Sequence, residues 1–371
     1  MRYVSGWVLT ENGLREGSIG FEDGLIQEFT GQKVKDAIAR GIVVPTLANA
    51  HTHIGDSFIT EELRGTLSEI VAPPNGLKHR RLREARREDV VDAMRLTAQR
   101  MFESGTTAFC DFREGGLDGV SMLYESCLGL DVKPIAYGRP AGMTYDEREV
   151  VSLLRVVNGI GVSSLSDWDR SELEKVSAAA RKQGVPFALH ASEDRREDID
   201  PILDLKPNFL VHMTCATDSD LEVCADSNVP VVICPRSNAF FGRLIDIPRM
   251  LGKGVRLMLG TDNAMISSPS ILEEMKFAYY AGKLKGDIGL LDVIGMLTNS
   301  RKGLKGEGAI GLTVGNKPDF MVLAPQSHSP QLKHILTASE GDISLVCIGE
   351  KTWTRHGVRL VEIEKTEGGN R

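Results

Sequence analysis

Gly41-Ile-Val-Val-Pro-Thr-Leu-Ala-Asn-Ala-His51-Thr-His53 is an apolar, β-branched run that ends in two histidines one residue apart. Residues i and i+2 of a strand project to the same face, so two imidazoles leaving one buried strand can share a metal ion. Alone the pair says little, because short His-x-His repeats arise by chance. Its weight depends on what the other strands carry at the same end.

From Gly41 to Asp262, short β-branched runs alternate with longer helix-like stretches, the pattern of parallel βα units. Eight strands are predicted: Ile42–Pro45 running on toward His51, Thr106–Asp111, Lys133–Gly138, Ile160–Ser164, Pro186–His190, Phe209–His212, Val229–Cys234 and Val255–Gly260. Helices are predicted over Arg87–Glu103, Ser121–Leu128, Ser171–Gln183, Asp218–Ala225 and Asp246–Gly252. Ser171-Glu-Leu-Glu reads as a capping box, and Gly105, Gly184 and Gly254 stand where helices would end. Eight repeats predict an α/β fold of the TIM-type (β/α)8 class, with its active site at the C-terminal ends of the strands. No glycine-rich phosphate loop follows a first strand, which disfavours an open doubly wound sheet.

The two ends read differently. Residues 1–40 and 308–362 hold short strand-like pieces, with hairpin turns at Glu11-Asn-Gly and Glu22-Asp-Gly. Both termini together predict a small β-sandwich domain beside a barrel over 41–307, and the polar tail 363–371 is expected to fray.

Composition narrows the function. The chain has 371 residues, 42% hydrophobic and 26% charged, enough apolar material for a large core. A net charge of −7 argues against a nucleic-acid-binding face. Six cysteines without a Cys-x-x-Cys pair read as reduced thiols of a cytoplasmic protein. Neither a signal peptide nor a membrane span is predicted. The expected partner is a small-molecule substrate, with self-association into a homo-oligomer left open. Residues 54–86 form an unusually long connection, including Val71-Ala-Pro-Pro-Asn-Gly-Leu-Lys-His79 and further arginines. The segment reads either as a solvated charged face or as a lid or oligomer contact over the barrel mouth.

The polar ends of the predicted strands form a set. Strand one ends at His51 and His53, strand five at His190 with Glu193 beyond, strand six at His212 and strand eight at Asp262. Singly, His190 and His212 could be core histidines, Asp262 a helix N-cap and Glu193 a loop charge. Their placement at one end of different strands favours a site. Three imidazoles and a carboxylate suit one divalent ion, zinc ahead of iron(II), with a position left for water. Arg113, Glu114, Arg139, Ser163, Ser164 and Asn238 also follow strand ends and are candidate substrate contacts. Arg113 or Arg139 would suit a carboxylate or phosphate. His79, His328, His334 and His356 lie in charged or terminal segments and read as uninvolved.

Asn49-Ala-His51-Thr-His53, His190-Ala-Ser-Glu193, Val211-His212, Cys234-Pro-Arg-Ser-Asn238 and Gly260-Thr-Asp262 resemble the motifs of the amidohydrolase superfamily. The branch they resemble holds cytosine, guanine and adenosine or S-adenosylhomocysteine deaminases together with chlorohydrolases. Gly315-Asn-Lys-Pro-Asp319 resembles that family's re-entry into its β-domain. The resemblance implies that His51, His53, His190 and Asp262 bind one metal ion and that His212 contacts the hydrolytic water. It makes Glu193 the proton shuttle and Asp262 an acceptor of the water's proton. Two-metal branches carry a bridging lysine or glutamate on strand four, whereas Gly159-Ile-Gly-Val-Ser-Ser164 has neither. The implied reaction is hydrolytic deamination of an aminated purine or pyrimidine derivative by metal-bound hydroxide. A cyclic amide hydrolase or chlorohydrolase using the same site is the alternative, and a metal-bearing binding protein without turnover the third reading. The His-x-Glu and Pro-Cys-x-x-Cys ligands of the unrelated zinc base deaminases are absent.

Overall fold

The computed structural model describes residues 1–305, 312–325, 327 and 329–363. Of the stretches read above, 308–311, His328 and 364–371 of the tail lie outside the described residues. The chain divides into two compact units, Met1–Leu47 with Glu103–Thr106 and Lys305–Arg371, and Ala48–Phe102 with Thr107–Leu304.

The first unit is built on one eight-stranded sheet. Arg2–Thr10 and Gly13–Glu22 form a hairpin, and Leu25–Thr30 follows through a turn in which Asp23 and Gly24 have φ of 51° and 73°. Left-handed backbone at both central positions matches the right-handed strand twist. Ala39–Pro45 joins the two ends of the chain: it runs parallel to Arg2–Thr10 and antiparallel to Asp319–Leu323. The run Ile42–Pro45 is therefore a strand, but of this sheet rather than of the barrel. Val4, Ile19, Phe21, Val43, Phe320 and Leu345 share its core.

The second unit carries eight parallel strands, the first residues of two of them falling in the first unit: β1 (Leu47–His53), β2 (Thr106–Arg113), β3 (Lys133–Gly138), β4 (Gly159–Val162), β5 (Phe187–Ala191), β6 (Phe209–His212), β7 (Val231–Ile233) and β8, in two pieces (Leu257–Leu259 and Asp262–Asn263). The break in β8 closes the ring. Its first piece pairs with β7 and its second with β1, while Gly260 N donates to Ile233 O and Thr261 N to His51 O, each at 3.0 Å. The α/β barrel class read from the sequence holds. Alternate side chains fill the interior, among them Cys110, Phe112, Tyr137, Phe209, Val211 and Met258. The six cysteines are free.

The helices between strands differ from expectation: Glu147–Leu154, Ile199–Asp204 and Pro235–Phe240 are helices beyond those predicted, and two predicted helices start elsewhere. Gly116–Cys127 begins before the predicted Ser121, because Gly116 and Gly119 weaken the helical pattern without preventing the helix. Arg170–Lys182 is capped by Asp169, whose carboxylate accepts from Ser171 N and Glu172 N, so Ser171 lies inside the helix. Gly105, Gly184 and Gly254 have φ of 82°, 66° and 81°, as helix-ending glycines require. The 54–86 connection holds structure of its own. Leu67–Ile70 starts from a capping box of Thr66 and Glu69, and Leu77–Glu84 is a two-turn helix that buries Lys78 and His79. Among the described residues, no helix is long and apolar enough to cross a membrane.

Candidate metal centre

At the C-terminal end of the barrel, β1, β5 and β8 bring four side chains to one point. His51 Nε2 lies 3.2 Å from His190 Nε2 and 3.3 Å from Asp262 Oδ1. His53 Nε2 lies 3.3 Å from His190 Nε2 and 3.7 Å from the same Asp262 oxygen. One donor atom from each of the four falls within a 4.8 Å cluster. His190 Nδ1 donates to Val162 O at 2.9 Å, and His53 Nδ1 faces Phe112 O and Glu114 Oε1, each at 3.0 Å. A proton on Nδ1 leaves Nε2 as a lone pair, so the rings of His53 and His190 direct bases, not acids, at a common centre.

Electrostatics agree with that protonation. Burial, followed by the nearby Lys78 ammonium, pushes His53 down to about 3. Burial and the neighbouring His51 hold His190 well below the usual histidine range. Burial works against the charge on Asp262, but the hydrogen bond from His51 and the facing His212 outweigh it and hold the carboxyl well below its ordinary value. The imidazoles of His53 and His190, held uncharged, converge with the Asp262 carboxylate and His51 as a set that fits a divalent ion.

The surrounding residues fix this geometry. Ser237 Oγ donates to Asp262 Oδ2 at 2.5 Å, leaving Oδ1 for the histidines. Asn238 Nδ2 donates to His212 Nδ1 at 3.2 Å, which puts the His212 proton on Nε2. His212 Nε2 lies 3.4 Å from Glu193 Oε1. Burial, then the charges of Asp262 and Asp194, raises Glu193 well above the usual carboxyl range. His212 and Asp262 have φ of 76° and 62°, and Ser192 of 48°. Left-handed backbone at non-glycine residues costs about 1–3 kcal/mol each and collects where a site dictates geometry.

A cavity of about 240 Å³ opens beside the cluster, and Glu114, Arg139, Ser163, Ser164 and Glu193 line it. Arg113 and Asn238 do not line it. Arg113 is buried against Asp111, at 3.3 Å, and Glu114, so it is no mouth anchor, while Asn238 lies behind His212. Ser163 Oγ accepts from Trp168 Nε1 at 3.1 Å. His79, read as uninvolved, also lines the cavity. Its Nε2 bonds Val71 O at 3.1 Å, and burial, followed by Lys78, pushes it down to about 3. Lys78, which no sequence signal singles out, lines the cavity and reaches Glu114 Oε1 at 2.6 Å. Ser237 is likewise missed by sequence reasoning, although it stands inside the Cys234-Pro-Arg-Ser-Asn238 motif.

The sequence profile of the amidohydrolase family matches residues 42–351. The chain belongs to the amidohydrolase family. It is similar to an uncharacterized protein of Methanocaldococcus jannaschii, 35% identical over 88% of this chain and 90% of the relative. A protein of Archaeoglobus fulgidus named as an aminohydrolase is 37% identical over 77% of this chain and 82% of its own. A 5-methylthioadenosine/S-adenosylhomocysteine deaminase of Thermoanaerobacter pseudethanolicus is 26% identical over 87% and 84%. Among solved structures, an adenosine deaminase from Xanthomonas campestris with bound zinc aligns with a TM-score of 0.79 at 16% identity, over 98% of this chain and 94% of that one. As an amidohydrolase, the chain is a metal-dependent hydrolase whose site holds the buried histidine–aspartate cluster.

Proposed function

We propose that this amidohydrolase removes the amino group of an aminated heterocycle, a purine or pyrimidine derivative, and that one ion, zinc by preference, is held by His51, His53, His190 and Asp262. The observation that carries the reading is the place of Glu193, beside the cluster and 3.4 Å from His212, where burial and the charges of Asp262 and Asp194 raise its carboxyl well above the usual range. A metal-binding protein without turnover has no use for a proton donor there. A relative named as an aminohydrolase and another named as a 5-methylthioadenosine/S-adenosylhomocysteine deaminase support the same reading.

A bound divalent ion supplies a water acidic enough to attack near neutrality. The rest falls to the chain's own groups. Glu193 gives its proton to the ring nitrogen beside the carbon under attack, takes up the proton of the newly formed hydroxyl and passes it to the departing amine, so that ammonia leaves, and the proton held by Asp262 then restores Glu193. His212, with its proton on Nε2, donates to oxygen developing at that carbon. Asp262 takes the proton released by the water, and Ser237 holds the carboxylate in place.

Metal analysis coupled to a screen for ammonia release over aminated purines, pyrimidines and pterins tests the proposal. Ammonia with the ring intact supports it. Full metal occupancy without ammonia from any of them favours the amide or chlorohydrolase reading.

A further inference from the structure

We infer that the substrate carries an oxygen-acid group, a carboxylate or phosphate, and that Lys78 and Arg139 seat it beside the metal centre. The position of the reacting ring rests on the function proposed above. The 54–86 segment then serves to deliver one of the two cations.

Both side chains reach the same atom. Glu114 Oε1 lies 2.6 Å from Lys78 Nζ and 4.0 Å from Arg139 Nη2. That carboxylate is already committed, since it also faces His53 Nδ1 at 3.0 Å and Arg113. Arg113 has a second anion in Asp111, whereas Lys78 and Arg139 have only their share of Glu114 among the described ion pairs. Arg139 is 8% exposed, lines the cavity and donates no side-chain hydrogen bond to any described residue. A guanidinium has five N–H donors, and leaving them unmet in a buried setting is costly. An entering carboxylate or phosphate accepts two of them in parallel.

The remaining acids of the cavity do not meet this need. Asp194 pairs with Arg243 at 2.7 Å. Glu197 accepts from Ser166 N and Ser192 N, each at 2.9 Å, and Asp167, hydrogen-bonded by Ser163, faces Arg139 only as a charge without an ion pair or hydrogen bond to it. Glu193 and Asp262 belong to the metal site. No Phe, Tyr or Trp side chain lines the cavity among the described residues. Recognition therefore falls to charge rather than to stacking on an aromatic face.

Calorimetric binding of three product-like rings to the metal-loaded protein tests the inference without turnover. The rings are uracil, its carboxylate analogue orotate, and uridine 5′-monophosphate. Orotate or the monophosphate should bind roughly 10–100-fold tighter than uracil, as charged hydrogen bonds imply, and the tighter of the two identifies the acid. In Arg139→Met and Lys78→Met the ratio should collapse toward one, and Lys78→Arg should restore part of it. Metal content and thermal unfolding of each variant show that fold and centre survive. If neither acid binds tighter than uracil, or both methionine variants keep the ratio, the inference is overturned. Absence of ammonia in the activity screen would instead sink the deaminase reading and leave this ranking standing.

Discussion

Ser237 and Asp262 share a 2.5 Å hydrogen bond from hydroxyl to carboxylate, and both side chains are buried. The bond divides the carboxylate between two roles. Oδ2 is held by the helix Pro235–Phe240, while Oδ1 faces His51 and His53. Partners of this kind commonly govern metal affinity by about 10–100-fold. Ser237→Ala should lose affinity on that scale in a competition titration against a chelator, with the fold intact. Unchanged affinity would mean that the backbone of β8 suffices to orient the carboxylate.

Glu193→Gln keeps the shape of the side chain and removes its ionisable proton. The variant should retain its metal and lose roughly 10²–10⁴ in rate, the usual scale of general acid–base catalysis. Metal content and turnover measured on the same preparation separate the two effects. Wild-type turnover would remove Glu193 from the mechanism.

Gly260 occupies the break in β8, where a Cβ would stand 2.7 Å from His51 Cβ and 2.8 Å from His51 N. Backbone cannot give way as a flexible side chain can. Gly260→Ala should therefore displace β1 from β8, costing about 1–3 kcal/mol in overpacking and lowering metal occupancy. Denaturant unfolding of the metal-free protein, compared with metal analysis, reads both losses. Wild-type values in both would show that the ring closes with slack.

Asp220 accepts two 2.8 Å hydrogen bonds from Arg196 and holds Thr217 N at the start of its helix. The Arg196 bonds come first among the causes that pull its carboxyl down to about 2, opposed by burial. A depressed folded-state pKa contributes stability above the ordinary carboxyl value, and that contribution fades as pH falls toward about 2. Asp220→Asn should melt below wild type near neutrality, and the gap should narrow under acid. Thermal midpoints collected across that range check it, and a gap that does not change with pH would assign the effect to capping alone.

Lys133–Gly138 and Phe209–His212 coincide with their predicted bounds because β-branched and aromatic runs between turn signals fix them locally. What local pattern cannot reveal is the partner. Ile42–Pro45 is extended as read, yet it pairs with Arg2–Thr10 and Asp319–Leu323, a choice made by residues far away in the chain. The histidines and Asp262 are legible because each ends an apolar run. Lys78 and His79 are not, since they begin a basic run whose other members, Arg80, Arg81 and Arg83, face solvent. One short helix splits that run between cavity and water, and charge alone does not show where the split falls. Asp169 and Ser171 are both good capping types, and only backbone geometry selects the first. Thr66 and Glu69 carry a readable capping box that the apparent irregularity of 54–86 conceals.

The closing of the ring through Gly260 and Thr261 also orders events during synthesis. Asn49 Nδ2 meets Thr261 Oγ1 at 2.7 Å across 212 residues of sequence, so β1 waits for the far end of the barrel before its histidines gain their carboxylate. Until β8 has left the ribosome, a captured ion can meet at most the three imidazoles. Because an ion that favours the finished fold stabilises it by mass action, metal can add its full stabilisation only once β8 is in place.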